Sequence, residues 1–203
     1  MVTFFFAGFE STASTISNTI FELAHNQDVQ KKLQSEVDEC FENSSELDIV
    51  DKYEAIKNLP YLDAVLKEAQ RKNPVVIRME RCLNTDNYKL GGIELEKNTL
   101  IEIPTQAIQL NDEYWPNPEQ FDPERFFPEN RDKIIPHSFI PFGDGPRNCI
   151  GMRFAITEVK AALYHLVHDY SFHLATKTPK YLDCLRAGPI LRAKPYPILF
   201  KKR

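Results

Sequence analysis

A proline-rich stretch in the middle of the chain restricts its fold more than any other feature. Of 14 prolines in 203 residues, 8 lie between positions 104 and 146. Proline lacks a backbone donor and interrupts helices and central strands, so we predict a long irregular coil there. Aromatic side chains are spread through it and favour an ordered, functional coil over a disordered one. They are Tyr114, Trp115, Phe121, Phe126, Phe127, Phe139 and Phe142.

Helical patterns lie on both sides of this coil. Apolar residues recur at helical spacing over residues 16–23, 28–40, 60–73 and after Gly151. We expect Asp28 to cap the second helix and Asn58 the third. Pro74 is expected to end the third helix, because proline disfavours helical backbone in the residue before it.

Short strands are predicted between the third helix and the coil. Gly91-Gly92 separates Tyr88–Leu90 from Ile93–Leu95, which is typical of a β-hairpin. We also expect Val75–Ile77, Leu100–Ile103 and pieces of the C-terminal tail to be extended. The predicted class is therefore mainly α with small β-sheets (α+β), in one unit covering residues 1–203.

Composition excludes several classes of protein. The formal net charge is −4, whereas a dedicated nucleic-acid binder needs a basic face. The longest apolar stretch, Val2–Phe9, is far shorter than the roughly 20 residues of a membrane-spanning helix. Such an apolar start is unusual, and we expect the sequence to begin inside a longer protein. The 4 cysteines are widely spaced, which favours a reducing compartment and no zinc site.

One cysteine stands in a chemically suggestive context. Cys149 closes the run that begins at Phe142, just before the last helix. The positive end of the helix dipole and the cation of Arg147 both favour thiolate over thiol. Gly143, Gly145 and Gly151 allow the backbone to approach a bound group closely. The alternative is a buried, inert cysteine beside a glycine turn.

Two pairs of ionisable residues are three positions apart, the spacing of one helix face. Glu68 and Arg71 could form a specific ion pair, although a surface salt bridge is the alternative. His165 and His168 could bind metal, but no third ligand lies nearby, so we expect a solvated surface.

Near the start of the chain, Ala7-Gly8-Phe9-Glu10-Ser11-Thr12 combines a helical glycine with a carboxylate and two hydroxyls. Gly8 costs a helix about 1 kcal/mol relative to alanine, which is understandable if a flat or diatomic molecule lies against the backbone. Glu10, Ser11 and Thr12 could relay protons. The alternative is a slightly irregular packed helix.

Together these motifs resemble the cytochrome P450 superfamily. Phe142-x-x-Gly145-x-Arg147-x-Cys149-x-Gly151 is similar to its haem-binding loop, Glu68-x-x-Arg71 to its ExxR helix, Phe121–Phe126 to its PERF region, and Ala7–Thr12 to its oxygen-binding helix. The local sequence looks most like animal microsomal members of the 3A type. The resemblance covers the whole chain and implies the C-terminal portion of the P450 fold, with the N-terminal portion absent.

The resemblance implies a haem-thiolate monooxygenase that uses heme b (iron protoporphyrin IX). Cys149 would be the axial thiolate ligand, tuned by amides around Gly145 to Gly151. Arg147 and Arg81 would pair with the haem propionates, and Phe142 would pack beside the haem.

Further roles follow from the same resemblance. Glu68, Arg71 and Arg125 would form a buried ion network. On the oxygen-binding helix, Ala7 and Gly8 would lie against the haem. Glu10, Ser11 and Thr12 would deliver protons during oxygen activation. Ser11 stands where the family usually has threonine, which puts efficient coupling of oxygen use to product in doubt.

Partners are likewise implied by resemblance. A lipophilic substrate would contact Phe6, Ala7, Val75–Ile77 and 187–190, O2 would be the co-substrate, and an NADPH-dependent flavin reductase would supply electrons. Basic residues proposed for the docking face of the reductase are Arg131, Lys133, Arg147 and Arg153. Relatives are held on the cytosolic face of the endoplasmic reticulum membrane by an N-terminal anchor absent from this chain. The alternative is a truncated, haem-free fragment or interaction module.

Overall fold

The computed structural model describes residues 2–185 and 192–203. Four helices form the bulk of it, and two shorter ones follow the second helix and the fourth strand. The helices are α1 (Val2–His25), α2 (Gln27–Asn43), α3 (Ile49–Lys57), α4 (Pro60–Lys72), α5 (Thr105–Gln109) and α6 (Met152–Asp169).

The strands form antiparallel pairs rather than one large sheet. β1 (Met79–Cys82) pairs with β4 (Leu100–Ile103), β2 (Tyr88–Leu90) with β3 (Ile93–Leu95), β5 (Tyr170–Leu174) with β8 (Ile198–Lys202), and β6 (Cys184–Leu185) with β7 (Arg192–Ala193). The predicted mixture of helices with small sheets is therefore confirmed. The predicted hairpin is confirmed too, and Gly91 and Gly92 both have positive φ, as its tight turn requires.

The central core lies among α1, α2, α4, α6 and β5. Leu33, Leu62, Leu163 and Phe172 have no exposed side-chain surface in it. Gln30 is also buried there: its amide nitrogen donates to Phe172 O at 2.9 Å and its oxygen accepts from Phe172 N at 2.7 Å. These two hydrogen bonds join the backbone of β5 to a side chain of α2, so the buried polar groups have partners.

The proline-rich segment is ordered and largely irregular, as predicted. Beyond α5 it contains three short 3₁₀ helices, Pro123–Phe126, Pro128–Lys133 and Gly145–Arg147. Trp115 is buried, and its ring packs near those of Phe126 and Phe139. Aromatic packing thus replaces regular hydrogen bonding as the source of order.

Both predicted helix caps are wrong. Asn26 occupies the N-cap position of α2, and Asp28 lies in the first turn, where its charge favours the helix dipole. Asn58 ends the unpredicted helix α3, whose start is capped by Asp48. The start of α4 is instead capped by Glu36 of α2, which accepts from Tyr61 N at 2.7 Å and Leu62 N at 2.8 Å.

Val75–Ile77 was expected to be a strand but forms a connection between α4 and β1. Val76 forms an isolated β-bridge within it, and the ends of the connection are fixed by tertiary contacts. The tail forms short extended pieces as expected, while the predicted substrate-contact residues 187–190 lie outside the described residues.

Candidate functional site

The cysteine loop presents Cys149 at the start of α6. The Cys149 N–H donates to Phe142 O at 2.8 Å, and Asn148 N donates to Gly145 O at 3.1 Å, which closes the loop on itself. Cys149 is a free, exposed cysteine, so the buried alternative is wrong. Its sulfur lies 3.9 Å from the position that a Cβ on Gly151 would occupy. The thiol is therefore held beside the N-cap of α6.

Left-handed backbone shapes the same loop. Gly143 and Gly145 have φ of 75° and 72°. A Cβ on Gly143 would also lie 3.1 Å from the Met79 sulfur, which would have to shift slightly, so the left-handed backbone is the main reason for glycine at this position.

Asp144, between these glycines, was not predicted from the sequence. Its carboxylate accepts from Gly145 N at 2.7 Å and pairs with His137 Nδ1. The hydrogen bond with His137 lowers the pKa of Asp144, and the hydrogen bond from the Gly145 amide has a smaller effect in the same direction. His137 itself has a left-handed φ of 64°. The only sequence feature that could have indicated a role for Asp144 is its place as an acidic residue between two glycines.

The predicted anion-binding residues lie on separate elements. Arg147 is exposed at the end of the 3₁₀ turn before Cys149. Arg81 is half-buried on β1, where its guanidinium donates to Glu80 O at 2.8 Å. Phe142 is half-buried at the base of the loop. The basic residues expected at a docking face, Arg131, Lys133 and Arg153, are exposed.

Glu68 and Arg71 form a wholly buried pair, so a surface salt bridge is the wrong interpretation. Both side chains have 0% exposure, and two bonds join them, Nε to Oε2 at 2.7 Å and a terminal nitrogen to Oε1 at 2.8 Å. Burial raises the pKa of Glu68, while Arg71 opposes that shift. The two-point geometry and buried partners make this pair sensitive to loss of either charge.

The proline-rich segment completes the coordination of this pair. Glu68 Oε1 also accepts from Asp122 N at 2.9 Å, and Arg125 Nε lies 3.5 Å from the same oxygen. Arg71 donates to Gln109 O at 2.9 Å and to Pro118 O at 2.8 Å. Helix α4 and the irregular segment are thus joined through one ion network, as expected for Glu68, Arg71 and Arg125.

Gln109 links that network to the cysteine loop and was missed by the sequence analysis. Its amide nitrogen donates to Gln70 O and Arg71 O, both at 3.0 Å. Its oxygen accepts from Ile140 N at 2.9 Å, three residues before Gly143. A single glutamine carries no periodicity signal, so no sequence pattern distinguishes it from the exposed glutamines.

The motif expected to bind oxygen, Ala7–Thr12, lies on α1. Ala7 and Gly8 are exposed, Glu10 and Ser11 are partly exposed, and Thr12 is buried. The Ser11 hydroxyl donates to Ala7 O at 2.6 Å, one turn earlier. Phe4, Phe5, Phe6 and Phe9 are 64–70% exposed, so the alternative of a packed helix does not describe this end of α1.

The two histidines of α6 have different environments. His165 is exposed as expected, whereas His168 is partly buried, stacked on Phe41 and 3.3 Å from Asp38 Oδ1. Among residues 2–185 and 192–203, no cluster of three or more histidine, cysteine or acidic side chains could hold a metal. Within those same ranges, no helix is long and apolar enough to cross a membrane.

Comparison with known proteins decides the family. The family model described as Cytochrome P450 matches residues 1–200. The chain belongs to the cytochrome P450 family. Relatives include rat cytochrome P450 3A9 and dog cytochrome P450 3A12, each 40% identical over 194 residues, and mouse cytochrome P450 3A41 at 41% over the same length. Each alignment covers 96% of this chain and 38% of the relative.

The match therefore extends beyond the four short motifs. This chain spans less than two-fifths of the length of those P450 relatives. Haem held by a cysteine thiolate is the cofactor that membership of the P450 family implies.

Proposed function

We propose that this chain is the haem-binding catalytic portion of a P450 monooxygenase that inserts one atom of O2 into a lipophilic substrate. The observation that carries the proposal is the exposed Cys149, held by the Phe142 carbonyl at the start of α6. The thiol, the helix dipole and the neighbouring Arg147 form a donor set suited to a thiolate ligand.

The loop residues suit a haem, and Cys149 is the residue that would hold it. When bound, the haem supplies the chemistry that activates dioxygen. Cys149 would hold the iron, with nearby amides from Gly145 to Gly151 stabilising the sulfur charge. Arg147 and Arg81 would donate charge-assisted hydrogen bonds to the propionates. Phe142 would cover the sulfur side and exclude water.

On α1, Glu10, Ser11 and Thr12 would hold and move protons, while Ala7 and Gly8 would face the haem. A Cβ on Gly8 meets no described atom within 4 Å, so packing within the described residues does not explain the glycine. This supports a close approach by a bound group. The Ser11 hydroxyl bonds Ala7 O, which leaves it an acceptor for a proton donor.

The substrate would be apolar, because the residues proposed to contact it, Phe6, Ala7 and Val75–Ile77, are apolar. Electrons would come from an NADPH-dependent flavin reductase. Four exposed cations in the segment around Cys149, Arg131, Lys133, Arg147 and Arg153, support an acidic docking partner. The place of action would be the cytosolic face of the endoplasmic reticulum membrane.

A second candidate is a haem-free fragment that acts only as an interaction module. It is favoured by the exposure of large apolar side chains on α1 and near the cysteine loop, where Ile150 is 88% and Phe154 73% exposed. Exposed apolar surface of this kind marks an interface or a ligand-binding surface.

Isotopically labelled dioxygen distinguishes the two candidates. In the haem-loaded protein with a flavin reductase and NADPH, the first predicts one labelled oxygen in the product of a lipophilic substrate. Replacing Cys149 by serine should abolish the label, while replacing exposed Cys82 should not. No haem uptake and no label from unsubstituted protein would instead support the interaction module.

A further inference from the structure

The connection between α4 and β1 is anchored at its first residue by α1. Asn73 ends α4, and its side-chain amide donates to Glu22 Oε1 at 2.7 Å. The Asn73 carbonyl accepts from Asn18 Nδ2 at 3.3 Å. Side chain and backbone of one residue are therefore held by two positions one turn apart on α1.

Glu22 is a buried charge with a complete set of partners. It is 2% exposed, and its second oxygen lies 3.1 Å from Lys72 Nζ and 3.4 Å from Asn26 Nδ2. A buried, ionised carboxylate needs both a countercharge and hydrogen bonds. The directions and distances of Lys72 and Asn73 relative to the Glu22 carboxylate are therefore both fixed. Apolar packing alone would not specify direction in this way.

The far end of the connection is anchored beside the cysteine loop. The Ile77 carbonyl accepts from Gln106 N at 3.1 Å. Two residues later, the Met79 sulfur lies next to Gly143. Val75–Ile77 therefore spans from the Glu22 anchor on α1 to the loop that carries Cys149.

We propose that Glu22 is a positioning residue that sets the location of Val75–Ile77, and through it the shape of the apolar substrate pocket. Asn73 transmits the position, because Val75 follows it by two residues and so lies within roughly 7 Å of it along the chain. This inference rests on the proposed function, in which Val75–Ile77 contacts substrate. Glu22 itself has no part in the chemistry.

Two azole probes of different size test the inference in the haem-loaded protein. Unsubstituted imidazole reports access to the iron alone, whereas phenylimidazole also reports the apolar wall. Glu22→Gln places an NH2 donor against the donors of Lys72 and Asn73. We expect it to weaken phenylimidazole binding about tenfold, of the order that a pocket contact provides, and to change imidazole binding less than about twofold. The optical shift on titration measures both.

Asn73→Leu is the second variant, because it removes the Glu22 contact while the Glu22–Lys72 pair remains. It should also lower the ratio of phenylimidazole affinity to imidazole affinity. This variant tests the inference if Glu22→Gln does not bind haem. Glu54→Gln, in the exposed Glu54–Lys57 pair of α3, is the matched control and should leave the ratio unchanged. An unchanged ratio in the anchor variants would overturn the inference. Absence of any imidazole shift in unsubstituted protein would count against the proposed function instead.

Discussion

The Glu68–Arg71 junction and the cysteine loop are neighbours along one hydrogen-bonded path, yet they differ in exposure. At the junction both charges have 0% exposure, and their partners come from α4 and the proline-rich segment. At the loop, Cys149, Ile150 and Phe154 are all exposed. Among the described residues, the support beneath the loop is therefore buried and held by ion pairs and hydrogen bonds, while the surface that would receive a ligand is exposed.

The largest effect should come from breaking the closed side. Glu68→Ala leaves Arg71 buried without its countercharge, and we expect a loss of about 3–5 kcal/mol in the free energy of unfolding. Urea denaturation of the two proteins measures it. Lys67→Ala on the same helix breaks the partly exposed pair with Asp63 and should cost about 0.5 kcal/mol or less. Equal losses in the two variants would contradict the distinction.

The path between the two regions should respond next. Gln109→Leu leaves Ile140 N–H and the carbonyls of Gln70 and Arg71 without this partner, and should cost about 1–3 kcal/mol. Gln106→Leu, at a half-exposed site of the same helix, is the control. Hydrogen exchange at Ile140 should accelerate only in the Gln109 variant. Unchanged protection there would show that Gln109 does not connect the regions.

On the open side, Ser11→Thr should alter function rather than stability. The added methyl restricts the side-chain rotamer, so we expect less peroxide released per product in the haem-loaded protein. Peroxide and product are measured in the same reaction with reductase. Ser35→Thr, on an exposed hydroxyl of α2 that bonds Lys31 O in the same way, controls for the methyl itself. An unchanged peroxide yield would remove Ser11 from the coupling argument.

The smallest expected effect is at the exposed Asp144–His137 pair. Because the folded state lowers the pKa of Asp144, its stabilisation is present above the ordinary aspartate pKa of about 3.9 and is lost as pH falls through the lowered value. Asp144→Asn should therefore be slightly less stable at neutral pH and equal to the parent at the acid end. Asp86→Asn, at an exposed site of the β1–β2 connection, is the control. It should change the free energy of unfolding equally at neutral and at acid pH.

The sequence predicted the parts of the fold that depend on local pattern. Helical periodicity located α1, α2, α4 and α6, and Gly91-Gly92 located the hairpin. Cap assignments failed because α4 is capped by Glu36 from another helix, a tertiary contact with no local signal.

The candidate site shows the same division. The motif residues Glu68, Arg71 and Cys149 were identified from their spacing and from the resemblance to the P450 family that this spacing supports. Gln109 and Glu22 were missed because they act through long-range hydrogen bonds, and Asp144 because it acts through the geometry of a turn. Such contacts are decided by the fold rather than by periodicity or composition.

We expect Cys149 to supply a thiolate to haem iron. The most direct measurement is the difference spectrum of the reduced, haem-loaded protein with and without carbon monoxide. We predict the red-shifted Soret band of thiolate ligation in the unsubstituted protein and in Cys82→Ser, and its loss in Cys149→Ser. The same red-shifted band in Cys149→Ser would contradict the account.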